Sequence, residues 1–401
     1  MFAAKPRGDM AEIVTLGCRL NLSESETIRA MVRDRRVAVV NSCAVTGEAV
    51  RQSRRAVRRL ARAHPDAELV VTGCAATIDP AGFAALPGVA RVVANPLKLS
   101  PEAWGAPAPA EPAPSPHARA LVEVQNGCDH ACTFCIIPAG RGASRSLPAG
   151  GVVDRIRALV DAGHREVVLT GVDLTSYGGD LPGIPTLGRL VERILRLVPD
   201  LPRIRLSSID PAEVDDRLFA LFAHEPRVMP HLHLSMQAGD DLILKRMKRR
   251  HSRAQAVELV ARLHALRPDI AVGADLIAGF PTEDDAAFAN SASLIETCRI
   301  VHPHIFPYSP REGTPAARMP QVDPAIVRDR AAQLRAIAAR VRDDWQAGLV
   351  GSIQSVLVER PGDRGHAENF AEVRLTRPAV PGTLIRARIT AAHDHLIGEP
   401  E

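Results

Sequence analysis

The chain has 401 residues, too many for one ordinary hydrophobic core, which predicts two or three domains. With 46% hydrophobic and 24% charged residues it reads as a soluble globular protein. No apolar run is long enough for a membrane span and no apolar segment precedes a cleavage site, which points to the cytosol. The net charge of +4 is mild, and seven cysteines are too few for a disulfide framework, so they read as metal ligands or buried thiols.

Three apolar runs open the chain, "AEIVTLGC", "VAVVNSC" and "ELVVTGC", each the pattern of a buried parallel strand. Helix-compatible polar stretches separate them, so residues 9–100 form a parallel α/β domain. Each run ends in a cysteine: Cys18, Cys43 and Cys74. Parallel sheets gather the carboxyl ends of their strands on one edge, which brings the three thiols together. Each could instead be a plain buried cysteine. The Pro/Ala-rich stretch at 101–117 reads as a semi-rigid linker.

A strand–helix pattern then repeats about six times through 118–347. The strands are "ALVEVQNGC", "EVVLTGVD", "RIRLSSID", "HLHLSMQAG", "AVGADLIAGFP" and "HPHIFPYSP". Six units predict a partial barrel, with its chemistry at the carboxyl ends of the strands. From 348 to 401, short alternating segments separated by Gly, Pro and Asp predict a small antiparallel β-barrel. The whole is an α/β protein with a small β-barrel appended.

"GCDHACTFC" follows the first strand of the middle domain and spaces Cys128, Cys132 and Cys135 as C-x3-C-x2-C. Zinc takes a fourth ligand. Three thiolates on a 4Fe–4S cluster leave one iron open for a small molecule that can take an electron. The loop resembles that of the radical S-adenosylmethionine enzymes. Read with "VVLTGVDLTSYG", "HLHLSMQAGDDLILKRMKRRHS", "ADLIAGFPTED" and "FPYSPREGTPAA", nearly the entire chain resembles their methylthiotransferase branch, and the terminal barrel resembles the RNA-binding TRAM domain. Ala139 stands where the family has an aromatic residue, and Ala238 where it has Ser.

The resemblance implies two 4Fe–4S clusters, one on Cys128, Cys132 and Cys135 and a sulfur-carrying one on Cys18, Cys43 and Cys74. It also implies two molecules of S-adenosylmethionine per turnover, one giving the methyl group and one the radical. An electron-donor protein is the implied partner, and the chain is expected to act as a monomer. Contacts for S-adenosylmethionine are implied at Phe134, Thr170, Gly171, Asp173, Ser207, Ser208, Gln237 and Asp275. Each could instead cap a helix, satisfy a turn or fill the core. "GCRLN" and "NSC" resemble the branch acting on threonylcarbamoyladenosine beside the tRNA anticodon, rather than the isopentenyladenosine or ribosomal-protein branches. That substrate carries a carboxylate, which calls for a cation in the pocket, and Arg141 and Arg145 are the residues expected to supply it.

Two basic segments remain. Arg51, Arg55, Arg58 and Arg62 share one helix face, with Arg54 and Arg59 beside them. "KRMKRRHSR" adds Lys245, Arg246, Lys248, Arg249 and Arg250. Both predict contact with RNA phosphates rather than mere solvation. His231 and His233 share a strand face and are expected to be structural, and Cys298 a buried helix residue. The rival readings are an RNA-binding protein with a structural metal and no catalysis, and a zinc hydrolase built on the two histidines.

Overall fold

The computed structural model describes residues 11–106 and 117–401. The first domain is a parallel sheet in chain order: β1 (Ala11–Thr15), β2 (Val37–Ser42), β3 (Glu68–Gly73) and β4 (Val89–Val93). All six residues of β2 are buried, because a central parallel strand is covered on both faces. The fourth strand was not expected from the sequence. It is half exposed and carries Arg91, whose Nε lies 2.6 Å from Glu68 Oε1 on β3. Helices α1 (Arg19–Val32) and α2 (Gly47–Ala63) follow β1 and β2. Helix α2 starts on an N-cap, with Thr46 Oγ1 accepting from the Ala49 N–H at 3.1 Å. A short helix, α3 (Cys74–Ile78), follows β3 directly.

Most of the expected linker lies outside the described residues. Its first part, Pro101–Trp104, is a 3-10 turn that buries Trp104 completely against β1, β2 and α1. The indole N–H donates to the Lys98 carbonyl at 2.7 Å. That turn therefore packs as part of the N-terminal core.

The middle region forms six parallel strands in the predicted positions. They are β5 (Arg119–Glu123), β6 (Glu166–Thr170), β7 (Arg203–Leu206, resuming at Ser208–Ile209), β8 (His231–Gln237), β9 (Ala271–Ala278) and β10 (Ile300–Pro307). No ladder joins β5 to β10 among the described residues, so the barrel is partial. The N-terminal domain touches both of its edges. Ser23 Oγ on α1 donates to the Leu121 carbonyl of β5 at 3.3 Å, and the Gly47 N–H at the start of α2 donates to Ser309 Oγ, just past β10, at 3.0 Å.

Helix Pro324–Ala347 leads to a closed five-stranded barrel of β11 (Ile353–Glu359), β12 (Arg364–Ala367), β13 (Glu372–Leu375), β14 (Leu384–Ala392) and β15 (Leu396–Pro400). Four pairings are antiparallel, as expected, but β13 and β15 pair in parallel. An odd number of strands cannot alternate direction all the way around a closed ring. Between β12 and β13, Phe370 adopts a positive φ of 68° and stacks on His231 of the middle domain at 4.9 Å.

Candidate functional site

The first thiol trio sits where the three strands end. Cys18 is the N-cap of α1, Cys43 follows β2, and Cys74 is the first residue of α3. The two Gly-Cys pairs have a steric reason. Gly17 has φ +91°, and a Cβ there would lie 2.7 Å from Cys43 Sγ. Gly73 has φ +93°, and a Cβ there would lie 2.4 Å from the Ser42 carbonyl oxygen. The Cys43 N–H donates to Ser53 Oγ at 3.2 Å, and Asn95 Nδ2 donates to Cys74 Sγ at 3.5 Å. Burial pushes the Cys43 thiol up to about 11, and the neighbouring Cys18 and Cys74 add to the shift, so the three sulfurs share one electrostatic site. Cys18 is exposed while Cys43 and Cys74 are buried, so the trio is open on one side.

The second trio lies on the loop after β5. Donors are aimed at all three sulfurs: the His130 N–H at Cys128 Sγ (3.4 Å), Arg249 Nη1 at Cys132 Sγ (3.6 Å) and the Ile137 N–H at Cys135 Sγ (3.4 Å). Such donors stabilise sulfur that carries negative charge. Burial, helped by neighbouring thiols, pushes Cys128 up to about 12 and Cys135 up to about 11. Bare, Cys128 and Cys135 stay protonated near neutral pH, and a metal centre that takes them as thiolates must displace their protons. Three sulfur donors with no fourth cysteine in either trio fit an iron–sulfur cluster with one open iron.

The trios face each other across the domain interface. Cys74 is among the groups that raise the Cys135 thiol, and a Cβ on Gly140 would lie 3.1 Å from Cys74 Cβ. Asn95 Nδ2 bridges Cys74 and the Gly140 carbonyl. A buried ionic cluster closes this interface. Arg141 Nη1 donates to Glu24 Oε1 and Asn126 Oδ1, both at 2.9 Å, and Nη2 donates to Asn21 Oδ1 at 2.5 Å and Glu24 Oε2 at 3.1 Å. Lys98 Nζ is 2.5 Å from Glu24 Oε2. Burial would raise the Glu24 carboxyl, but the two cations outweigh it and hold it below the ordinary range. With two cations on one carboxylate, burial prevails at Lys98 and lowers its ammonium.

This cluster corrects the expectation for Arg141, which is 2% exposed and has its guanidinium spent on the interface. Arg145 is exposed and donates to the Arg141 carbonyl at 3.0 Å. Arg141 is therefore not a free cation facing a pocket.

Of the residues expected at S-adenosylmethionine, Thr170, Gly171, Asp173 and Gln237 lie at or just past the carboxyl ends of strands, Ser207 and Ser208 at the break in β7, Asp275 within β9, and Phe134 on the cysteine loop. Asp173 Oδ2 is 3.8 Å from Cys128 Sγ and 2.6 Å from His130 Nε2. Thr170 is buried, and Gly171 packs on Gln125, whose Oε1 accepts from the Val172 and Asp173 N–H groups at 3.0 and 2.9 Å. Ser207 Oγ is buried without a partner, and Ser208 Oγ is 2.9 Å from Ser235 Oγ. Gln237 has a positive φ of 68°. Phe134 packs edge-on to Phe280 at 6.3 Å. Asp275 lies deeper, where its Oδ1 meets His233 Nε2 at 3.1 Å and His304 Nδ1 at 3.0 Å. His231 packs instead between Phe370 and His302, so the two histidines of the strand do not converge on one ion. Cys298 is fully buried at the end of helix Asp285–Thr297.

The basic segments divide. Arg51 and Arg55 pair with Glu48, and Arg54 pairs with Asp79 at 2.7 Å. Arg58, Arg59 and Arg62 are exposed and have no acidic partner among the described residues. Arg249 is not a surface residue: its side chain is 8% exposed and Nη2 binds Asp210 Oδ2 and the Ser235 carbonyl, both at 2.9 Å. Arg250 pairs with Glu213 at 2.7 Å and Asp210 at 3.2 Å. Lys245 and Lys248 remain exposed. Sequence reasoning missed Gln125, Asn95 and the Glu24–Lys98 pair. Each is a lone polar residue with no spacing signal, and only the folded chain gives it a partner.

Residues 122–295 match the family model of the radical SAM superfamily, and residues 10–94 match one described as the uncharacterised protein family UPF0004. The chain is 44% identical over 402 residues to a threonylcarbamoyladenosine tRNA methylthiotransferase of Rickettsia prowazekii (strain Madrid E), covering 96% of this chain and 95% of the relative. It is 32% identical over 389 residues to the corresponding protein of Bacillus subtilis (strain 168), covering 89% and 86%. It is also 32% identical over 422 residues to a tRNA-2-methylthio-N(6)-dimethylallyladenosine synthase of Ruegeria pomeroyi, covering 95% and 96%. The fold is similar to that of the radical S-adenosylmethionine methyltransferase TsrM from Kitasatospora setae, solved with cobalamin and a 4Fe–4S cluster. The TM-score is 0.55 at 14% identity, covering 86% of this chain and 80% of that one. With one relative matched at 44% identity along nearly its whole length, and with two thiol trios opposed across a closed interface, the chain belongs to the radical S-adenosylmethionine tRNA methylthiotransferase family.

Proposed function

We propose that this protein places a methylthio group on carbon 2 of threonylcarbamoyladenosine, next to the anticodon of tRNA. The observation that carries the reading is the opposition of two three-thiol sites, Cys18, Cys43 and Cys74 against Cys128, Cys132 and Cys135, across an interface held by Glu24, Lys98 and Arg141. Each trio would hold one 4Fe–4S cluster. When bound, the central cluster supplies the electron that cleaves S-adenosylmethionine to a 5′-deoxyadenosyl radical, and the N-terminal cluster supplies the sulfur.

The chain's own residues hold and shield the reactants. Gln125 fixes the backbone after β6 by accepting from the Val172 and Asp173 N–H groups, which presents Gly171 and Asp173 to S-adenosylmethionine. Arg249 ties Cys132 to Asp210 and β8, so the cysteine loop cannot shift independently of the barrel. The N-terminal domain bridges the barrel's edge strands and limits water in the space where a radical must survive. Exposed Arg58, Arg59, Arg62, Lys245 and Lys248, with the terminal barrel, form the surface for tRNA phosphates. The protein works as a monomer in the cytoplasm with an electron-donor protein. Among the described residues, no helix is long and apolar enough to cross a membrane.

The test is anaerobic reconstitution with iron and sulfide, then incubation with S-adenosylmethionine, reductant and tRNA bearing either adenosine modification. Mass spectrometry of the nucleosides should show methylthiolation of threonylcarbamoyladenosine. Methylthiolation only of isopentenyladenosine, or only of a ribosomal protein, refutes the substrate. Full iron loading without any cleavage of S-adenosylmethionine would leave a non-catalytic RNA-binding protein.

A further inference from the structure

Three guanidiniums surround the Phe370 ring inside the central barrel: Arg19 at 5.3 Å from its centroid, Arg119 at 4.9 Å and Arg205 at 4.8 Å. Two have carboxylate partners. Arg119 Nη2 is 2.7 Å from Glu359 Oε1, and Arg205 Nε is 2.9 Å from Glu166 Oε1. The other acidic oxygens nearby are engaged as well. Glu166 Oε2 lies 3.5 Å from both Arg205 Nη2 and Arg203 Nη1, and Asp275 takes contacts from His233, His304 and Ser208. Arg19 alone makes no hydrogen bond or ion pair to a described residue.

Its position is set by the auxiliary site. Arg19 directly follows Cys18, so the two Cα atoms are about 3.8 Å apart. Helix α1 is tied to β5 by Ser23, and from its first turn the Arg19 side chain reaches Phe370 in the barrel. The backbone that carries this guanidinium is therefore fixed next to the first N-terminal thiol, while the side chain itself lies in the barrel.

We propose that Arg19 is the specificity residue that receives the carboxylate of the threonylcarbamoyl group. This rests on the substrate reading above. Glu166 and Asp275 act on Arg19 only at a distance, so a guanidinium that no carboxylate meets directly, beside Arg119 and Arg205, favours an anion, and its planar fork matches a carboxylate in a bidentate pair. An isopentenyl group offers it nothing. Seating that group there would strip water from the cation without replacing it, which disfavours the sister substrate. Of the two arginines the sequence offers for this task, Arg141 is spent on Glu24 and Arg145 donates to the Arg141 carbonyl.

The experiment compares anticodon stem-loops carrying threonylcarbamoyladenosine with stem-loops carrying its uncharged carboxamide analogue. The parent enzyme, Arg19→Gln and Arg19→Lys are assayed at matched iron content. The parent should prefer the carboxylate by roughly 10- to 100-fold in kcat/KM, the effect of one charge-assisted hydrogen-bonded pair. Arg19→Gln should raise KM for the carboxylate substrate and abolish the preference, while Arg19→Lys should retain part of it. Stem-loop binding measured by fluorescence anisotropy should follow the same order without depending on turnover. Equal losses on both stem-loops, as a phosphate contact or a disturbed Cys18 loop would give, overturn the assignment, and so does an undiminished preference in Arg19→Gln. A parent enzyme that modifies isopentenyladenosine and neither stem-loop overturns the substrate reading, and Arg19 with it.

Discussion

Replacing Arg141 with Leu removes the residue that joins the two cysteine-bearing domains. Four hydrogen bonds disappear, at 2.9, 2.9, 2.5 and 3.1 Å, and three of the residues they serve, Glu24, Asn21 and Asn126, lie in the interior. Of its two cations, Glu24 keeps only Lys98. Breaking a buried pair by removing one partner costs about 3–5 kcal/mol, because the remaining charge stays desolvated. For a cooperative unit of this size, each kcal/mol moves Tm by roughly 2–4 °C, so a fall on the order of 10 °C is expected. The assay is anaerobic calorimetry of the reconstituted protein, alongside Michaelis kinetics on both modified tRNAs. A double-mutant cycle with Glu24→Gln should show coupling of at least about 1 kcal/mol, since the two side chains touch. A Tm within about 2 °C of the parent, together with a KM increase confined to threonylcarbamoyladenosine, would refute the structural role and return Arg141 to the substrate pocket.

Replacing Cys128, Cys132 and Cys135 with Ala should leave about half the iron and abolish cleavage of S-adenosylmethionine, whereas replacing Cys18, Cys43 and Cys74 should halve the iron yet keep 5′-deoxyadenosine formation; full iron in the second variant would eliminate the N-terminal cluster. Gly17→Ala should act like the second variant, since its Cβ would lie 2.7 Å from Cys43 Sγ at φ +91°, and unchanged iron and activity would show that the loop can relax. Changing Arg58, Arg59 and Arg62 to Gln should weaken tRNA binding and flatten its salt dependence by roughly one unit of slope for each phosphate no longer neutralised, as read by filter binding across a salt series. The Glu24 carboxyl is held below its usual range, so its contribution to stability is present above the unfolded value of about 4.3 and is lost as pH falls through the lower folded value. Acid unfolding of Glu24→Gln should therefore depend less on pH in that window, and an unchanged profile would mean that the pair contributes nothing.

The sequence by itself determined the parts whose signal is local. The six strands of the middle region, the first three strands of the N-terminal domain and both cysteine trios were legible, because hydrophobic period and ligand spacing are properties of neighbouring residues, although β1, expected to be buried, lies at the sheet edge with only Ala11 buried. The strand β4 was missed because Arg91 interrupts a half-exposed run, and its ladder to β3 and the Arg91–Glu68 pair exist only once the chain is folded. The parallel closure of the terminal barrel follows from counting strands around a ring, which no single segment reports. At the site, an arginine reads the same in the sequence wherever it lies. Tertiary structure alone gave Arg141 to Glu24 and Arg249 to Asp210 and Cys132, and left Arg19 without a hydrogen-bonding or ion-pair partner, whereas Arg51 and Arg55 meet Glu48 of their own helix. A charge's role is set by which opposite charge the fold brings within a few ångströms, and for Arg141 that partner is 117 positions away in the chain.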